Sequence, residues 1–243
     1  MLKSVRILLA IAAFYDYEIW QMDVKTAFLN GMLSEDVYMV QPEGFVDPKD
    51  VGKVCKLQRS IYGLKQASRS WNLRFDEVVR SFGFIKNGGE SCVYKKVSGS
   101  VVAFLILYVD DILLIRNDKE FLNTIKDSLK KSFSMKDLGE AAYILGIKIY
   151  RDRSRCLIGL TQDTYLEKVL KRFNMEESGK GSLPMVHDKP LSKKQCPQTA
   201  AERNYMDKVP YASAIGSIMY AMICTRPDVS YALNVTSRYQ SYP

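Results

Sequence analysis

The longest run of strand-forming side chains, Val101-Val-Ala-Phe-Leu-Ile-Leu-Tyr-Val109, ends in two adjacent carboxylates, Asp110 and Asp111, and resumes at once as Ile112-Leu-Leu-Ile115. β-branched and aromatic residues on both sides, with Ser98-Gly99-Ser100 turning the chain ahead of them, predict a β-hairpin whose tip presents the two acids. A buried or half-buried carboxylate pair is costly unless a cation neutralises it, and a divalent metal is the usual partner. Taken alone, Asp-Asp at a strand end is most often a solvated turn. The run is also far shorter than the roughly 20 apolar residues of a membrane-crossing helix, so no transmembrane helix is expected.

At 243 residues the chain can hold one large domain or two small ones, and 47% hydrophobic with 26% charged residues is ordinary globular composition. The excess of 35 Lys+Arg over 27 Asp+Glu, a net charge of +8, favours a polyanionic partner such as nucleic acid, well short of ribosomal or chromatin-like charge density. Cys55, Cys92, Cys156, Cys196 and Cys224 are far apart, with no Cys-x-x-Cys spacing and only His187 as an imidazole. That pattern indicates neither a zinc site nor a disulfide scaffold. The odd cysteine count and the lack of a signal-peptide pattern fit a reducing, intracellular setting, and the immediate start of helix-like sequence also fits a fragment.

Leu2, Val5, Leu8, Leu9 and Ala12 share one face at helical spacing and predict an amphipathic helix over 2–15. A strand over about 18–24 carries Asp23, followed by a helical turn ending near Asn30-Gly31 and extended pieces at 37–40 and 54–57. A helix over 65–82 has an apolar face of Trp71, Phe75, Val78, Val79 and Phe82, ended by Gly83 as a left-handed cap. Strands at about 92–97 and 101–115 precede a helix over 118–133, with Phe121, Ile125, Leu129 and Phe133 every four residues and Asp118 placed to cap it. A hairpin over 142–150 and 156–161 leads to a helix over 162–174. The stretch 175–210, with Pro184, Pro190, Pro197 and Pro210 and no sustained periodicity, reads as a linker or long loop. Two helices, about 211–224 and 228–239, flank Thr225-Arg226-Pro227.

Strands and helices alternate with hairpins among them, so the expected class is α+β with an antiparallel sheet. Asp23 and the Asp110-Asp111 pair lie on different strands, and only a folded sheet could unite them. Three carboxylates at one end of a sheet make an oxygen-rich pocket suited to Mg²⁺, which binds through a few carboxylates plus substrate phosphates. Two such ions can activate an attacking hydroxyl and stabilise the leaving oxygen in phosphoryl transfer.

Four runs now add specificity: Gln21-Met-Asp-Val-Lys-Thr-Ala-Phe-Leu-Asn-Gly31, Ser60-Ile-Tyr-Gly-Leu-Lys-Gln-Ala67, Tyr108-Val-Asp-Asp111, and Met135-Lys-Asp-Leu-Gly139 followed by Leu145-Gly-Ile-Lys148. In this order they resemble the motifs of reverse transcriptases from copia-type LTR retrotransposons, in wording nearest to plant elements, and Thr225-Arg-Pro-Asp228 resembles the end of that region. The resemblance covers nearly the whole chain. It implies a right-hand polymerase: a palm of antiparallel sheet backed by helices with partial fingers over 1–150, a primer-grip hairpin and first thumb-like helix over 151–174, the linker over 175–210, and a helical thumb-like segment over 211–243.

The resemblance further implies that Asp23, Asp110 and Asp111 bind two Mg²⁺ ions, or Mn²⁺ in their place, with Val24 completing the ligand set. Lys136 would protonate the pyrophosphate leaving group as a general acid. Phe28 would be a steric gate against the 2′-hydroxyl, and Thr26 and Ala27 would offer backbone N–H groups to the triphosphate. Gly63, Leu64, Lys65 and Gln66 would hold the templating base and incoming dNTP, the glycine allowing close backbone approach. Leu145, Gly146 and Ile147 would grip the primer, and Lys168, Lys171 and Arg172 would follow backbone phosphates. The implied function is RNA-directed DNA polymerisation on an RNA or DNA template with primer, in a cytoplasmic virus-like particle or the nucleus, alongside the other domains of a Pol polyprotein.

Three departures stand beside this. The family's basic fingers segment is not found upstream of Gln21, which makes a truncated, catalytically silent remnant that at most binds nucleic acid the alternative expectation. Ser68 replaces the family's usual proline after Lys65-Gln-Ala67, which would loosen the helix entry there. Arg116 stands where a glycine commonly follows the acid-bearing strand, and a positive φ at that point would be strained.

Overall fold

The computed structural model describes residues 2–46, 48–179, 181, 184–185 and 191–241; His187, Pro190 and part of the expected linker lie outside them. The chain packs as two compact units, one of residues 1–142 and 151–158, the other of residues 143–150 and 159–243.

The first unit is built on a six-stranded sheet of order β4-β5-β6-β7-β1-β8, every neighbouring pair antiparallel. Its strands are β1 (Glu18–Val24), β4 (Ile85–Lys86), β5 (Val93–Ser98), β6 (Val101–Tyr108), β7 (Asp111–Arg116) and β8 (Met135–Glu140). A separate small ribbon pairs β2 (Tyr38–Val40) with β3 (Val54–Lys56). The long apolar run thus becomes two strands rather than one, turned at Val109-Asp110, with Tyr108 paired to Asp111. The β6 and β7 interiors are buried because both sheet faces are covered, and the run is therefore continuous rather than alternating.

One face is covered by α2 (Ala67–Ser81) and α3 (Lys119–Ser132). Trp71, Phe75, Val78 and Val79 of α2 and Leu122, Ile125 and Leu129 of α3 meet Met22, Val24, Leu105, Leu107, Ile112 and Leu114 in one core. Phe133 closes it, its ring 5.1 Å from Trp71 and 5.9 Å from Phe75. Asp118 caps α3 by accepting the Phe121 N–H at 3.1 Å, as its position predicts. On the other face lies α1 (Leu2–Phe14), burying Val5, Leu8, Leu9 and Ala12. Short elements depart from the sequence expectation: β4, β8 and a helix at Ala200–Met206 are unmarked in it, and the strand expected over 142–150 is divided at Leu145-Gly146. Strand β8 has only half-buried or exposed residues and so carries no apolar alternation. A short helix α5 (Ala200–Met206) lies within the expected linker, started by a capping box in which Thr199 accepts from the Glu202 N–H at 3.2 Å and Glu202 accepts from the Thr199 N–H at 2.9 Å.

The second unit contains β9 (Tyr143–Ile144), α4 (Asp163–Arg172), α5, α6 (Tyr211–Cys224) and α7 (Ser230–Ser237), with the strands β10 (Ile147–Asp152) and β11 (Leu157–Thr161) shared across the division. Tyr165 of α4 donates to the Ser217 carbonyl of α6 at 3.0 Å, and Tyr211 of α6 to the Thr236 carbonyl of α7 at 2.8 Å. These tyrosine hydrogen bonds link α4 to α6 and α6 to α7.

After β1 the chain forms a 3₁₀ turn, Ala27–Asn30, held against the segment before α2. The Ser60 N–H donates to the Gly31 carbonyl at 3.0 Å, and the Ser60 hydroxyl donates to the Phe28 carbonyl. Gly31 has an ordinary extended backbone, so its need is purely steric: a Cβ there would lie 2.8 Å from Ser60 Oγ, 2.8 Å from Ser70 Cβ and 2.9 Å from the Trp71 nitrogen. The replacement Gly31→Ala is expected to destabilise the chain by about 1–3 kcal/mol through overpacking. Urea unfolding with an unchanged midpoint would contradict that packing.

Candidate active site

The register of β1 against β7 runs from Glu18 opposite Arg116 to Asp23 opposite Asp111. Directly opposed residues of an antiparallel pair project to the same face with Cα atoms roughly 4.5–5.5 Å apart. Asp23 and Asp111 are therefore neighbours, although most of the first unit's sequence lies between them. The Val24 N–H donates to the Asp110 carbonyl at 2.8 Å, which extends the ladder into the turn and brings the third acid to the same end of the sheet. Val109, at φ +54°, makes the tight reversal. Its carbonyl accepts the indole N–H of the buried Trp71 at 2.8 Å, so the α2 core anchors the hairpin tip.

The electrostatics of this group are unfavourable. Desolvation comes first, then repulsion from Asp23 and Asp111, and together they push the Asp110 carboxyl above its ordinary range, with partial relief from the Tyr62 hydroxyl. Oδ1 of Asp110 is buried without a hydrogen-bond partner. Asp111 is better served, its Oδ1 accepting from the Gln21 side-chain amide at 3.0 Å. Gln21 lies two residues before Asp23 on the same strand face, a supporting role the sequence reading overlooked.

Lys136 lies on the other side of Asp23, directly opposite it in β8, and is exposed. A β-bulge sets this register: Gln21 pairs with Gly139, but Met22 pairs with Asp137, skipping Leu138. Without the extra residue Asp137, not Lys136, would face Asp23. Gly139 adopts φ +79° at the bulge, and its N–H donates to Asp137 Oδ1 at 3.1 Å. Asp137 is itself held by Lys126 at 2.9 Å and Lys130 at 3.3 Å, both from α3, and Lys126 lies 3.9 Å from the centre of the Trp20 ring. The Lys136-Asp137-Leu138-Gly139 run is thus a folded register device in which the Asp137 carboxylate ties the bulge to α3.

On the turn after β1, Thr26 sits at φ +51° and is exposed, Ala27 is buried, and Phe28 is half-buried. Tyr62 packs on Phe28 with ring centroids 4.7 Å apart and a 44° tilt. Its hydroxyl faces the Asp110 carboxylate and the backbone N–H groups of Phe28 and Ala27; desolvation and then the Asp110 charge raise the phenol above its ordinary range. Gly63 takes φ +97° with open space where a Cβ would lie, so the glycine serves the turn conformation and not a close approach within the chain. Leu64 is half-buried, Lys65 is exposed, and Gln66 stands at the N-cap of α2. Ser68 lies exposed in the first turn of that helix.

Arg116 has no positive φ, so the condition for strain there is not met. It ends β7 as strand, buried, its guanidinium 3.5 Å from the centre of the Phe121 ring. The Leu145-Gly146 turn between β9 and β10 belongs to the second unit. Leu145 at φ +54° and Gly146 at φ +72° form a two-residue hairpin turn that pairs Ile144 with Ile147, and the Tyr220 hydroxyl donates to the Leu145 carbonyl. Lys168, Lys171 and Arg172 are exposed on α4 of the same unit.

Among the described residues no three His, Cys, Asp or Glu side chains are gathered into a ready metal cage. The donor set nevertheless suits a hard divalent cation: the oxygens are anionic, they repel one another, and one is buried and unpartnered. No helix among the described residues is long and apolar enough to cross a membrane.

Two comparisons identify the family of the chain. The family of reverse transcriptases, RNA-dependent DNA polymerases, matches residues 1–187, and the chain belongs to that family. It is 48% identical over 243 residues, its whole length, to the retrovirus-related Pol polyprotein from transposon TNT 1-94 of Nicotiana tabacum, covering 18% of that protein. Its identity to the retrovirus-related Pol polyprotein from transposon RE1 of Arabidopsis thaliana is 35% over 240 residues, 99% of the chain and 16% of the relative. The Transposon Ty1-DR5 Gag-Pol polyprotein of Saccharomyces cerevisiae is 27% identical over 245 residues, 97% of the chain and 14% of the relative. The chain thus spans less than a fifth of these relatives' length. No solved structure matches it.

Burial works against the Asp137 charge, but the hydrogen bonds from Lys126, the Gly139 N–H and Lys130 outweigh it and hold the carboxyl below its ordinary range. A carboxyl depressed on folding stabilises the fold above about pH 4, the unfolded value, and that contribution is lost as the pH falls through the folded value. Asp137→Asn is expected to cost roughly 1.5–3 kcal/mol at neutral pH and to flatten the acid limb of stability. Parallel stability-versus-pH curves for variant and parent, from denaturant melts between pH 3 and pH 7, would refute the assignment.

Proposed function

We propose that the chain carries the catalytic palm of an RNA-directed DNA polymerase, with partial fingers, over residues 1–150, and primer-grip and thumb-like parts over 151–174 and 211–243, joined through 175–210. The observation that carries the reading is the row Asp111, Asp23, Lys136 across three adjacent strands, with Asp110 at the hairpin tip beside them. Asp23, Asp110 and Asp111, with the Val24 backbone, would hold two Mg²⁺ ions. Bound there, the ions supply charge neutralisation and a more acidic primer 3′-hydroxyl.

The chain's own groups do the rest. Gln21 keeps Asp111 oriented, and Trp71 and the Val24 N–H fix the tip from which Asp110 projects. Lys136 is free to approach a leaving pyrophosphate and give it a proton. Backbone N–H groups of Thr26 and Ala27 meet the triphosphate. Phe28 closes the floor beneath the sugar, excluding a 2′-hydroxyl by contact. Gly63, Lys65 and Gln66 stand on the template side, and Leu145, Gly146 and Ile147 hold the primer end. The net charge of +8 suits a primed template.

Template-directed extension of a primed RNA by the purified chain, with dNTPs and Mg²⁺, tests the proposal. Asp110→Asn is expected to lower the rate by about 10²–10³-fold or more, by analogy with removal of a single electrostatic stabiliser. In EDTA the same variant is expected to melt above wild type, since a neutral side chain relieves the repulsion, and Mg²⁺ should raise the melting temperature of wild type more. Equal extension by the two proteins, together with identical responses to Mg²⁺, would reject the proposal.

A further inference from the structure

Among the described residues Tyr62 packs its ring against Phe28, with ring centroids 4.7 Å apart. It comes from the turn before α2, a different part of the chain from the Ala27–Asn30 turn, and the two turns are locked together beneath it. Ser60 bonds to the carbonyls of both Phe28 and Gly31, and Gly31 leaves no room for a side chain between them. The phenol end lies near the Asp110 carboxylate; desolvation, then that charge, raises it above its ordinary range. Tyr62 is 49% exposed, and its ring contact is the tilted packing on Phe28.

From this we infer that Tyr62 is the positioning residue of the sugar gate: its ring fixes where the half-buried Phe28 ring can stand and so sets discrimination between deoxyribo- and ribonucleotides. This deepens the proposed function and rests on it. A steric gate discriminates only if it cannot yield. Phe28 is on a short 3₁₀ turn and is not enclosed in the core, so a ribonucleotide could displace it unless a second group stands behind it. Tyr62 stands there. The ring supplies the contact.

The test measures dATP and ATP binding by calorimetry to the full chain on a primer–template whose primer ends in a dideoxynucleotide, so that no incorporation follows. Wild type, Tyr62→Phe, Tyr62→Ala, Tyr62→Leu and Phe28→Ala are compared, with thermal melts to establish folding. Expected is a preference for dATP in wild type that Tyr62→Phe retains, and that Tyr62→Ala reduces by roughly tenfold, toward the Phe28→Ala value. Should Tyr62→Ala not fold, Tyr62→Leu carries the same comparison, because it restores bulk without a ring plane. A wild-type preference in the folded Tyr62 variants, beside its loss in Phe28→Ala, overturns the inference and leaves the polymerase proposal intact. Absence of nucleotide binding by wild type overturns both.

Discussion

Antiparallel pairing of β1 with β7 is the constraint from which the site follows. It sets Asp23 across from Asp111, and the Val24 N–H continues the ladder onto the Asp110 carbonyl. Because side chains alternate along a strand, a slip of one residue would send Asp23 to the opposite face, into the α2–α3 core. The core prevents the slip. Met22, Val24, Ile112 and Leu114 are all but fully buried there, and exchanging any of them for Asp23 would bury an unpaired charge.

Such a core also sustains groups that would not assemble on their own. Three carboxylates crowd one end of the sheet, Asp110 has a buried oxygen without a partner, and Val109 is held at a positive φ that a β-branched residue avoids. Each is locally unfavourable. They persist because the hairpin strands are buried on both faces and because the Trp71 indole fixes the Val109 carbonyl from within α2. The same logic holds on the outer side of β1, where Asp137 ties a bulge to Lys126 and Lys130 and thereby decides which residue faces Asp23.

Elements with strong periodicity were legible in the sequence. β1 matches its expected span, α3 begins at its expected cap, and α1 buries the expected apolar positions Val5, Leu8, Leu9 and Ala12. What escaped has weak local signals. β8 is a polar edge strand broken by a bulge, so neither alternation nor apolar content marks it. Helix α5 is short and lies among prolines, yet the Thr199 to Glu202 spacing of a capping box was present and could have revealed it. Tyr62 gave no signal of its own, because an exposed tyrosine beside a glycine turn is common and its value comes from a ring contributed by another segment. Arg116, where the family commonly has a glycine, needs no positive φ: it pairs with Glu18 as ordinary strand and its guanidinium lies over the Phe121 ring.

By itself the sequence determined which residues carry charge at the ends of apolar runs, where the principal helices begin, and, through four ordered motifs, the family. Those are properties of neighbours along the chain. The tertiary structure alone decided that Asp23 faces Asp111, that a bulge brings Lys136 rather than Asp137 to the other flank, and that Tyr62 packs on Phe28. Each depends on register between distant segments, and register is set by the cooperative burial of side chains on both sheet faces, a sum that no local stretch contains.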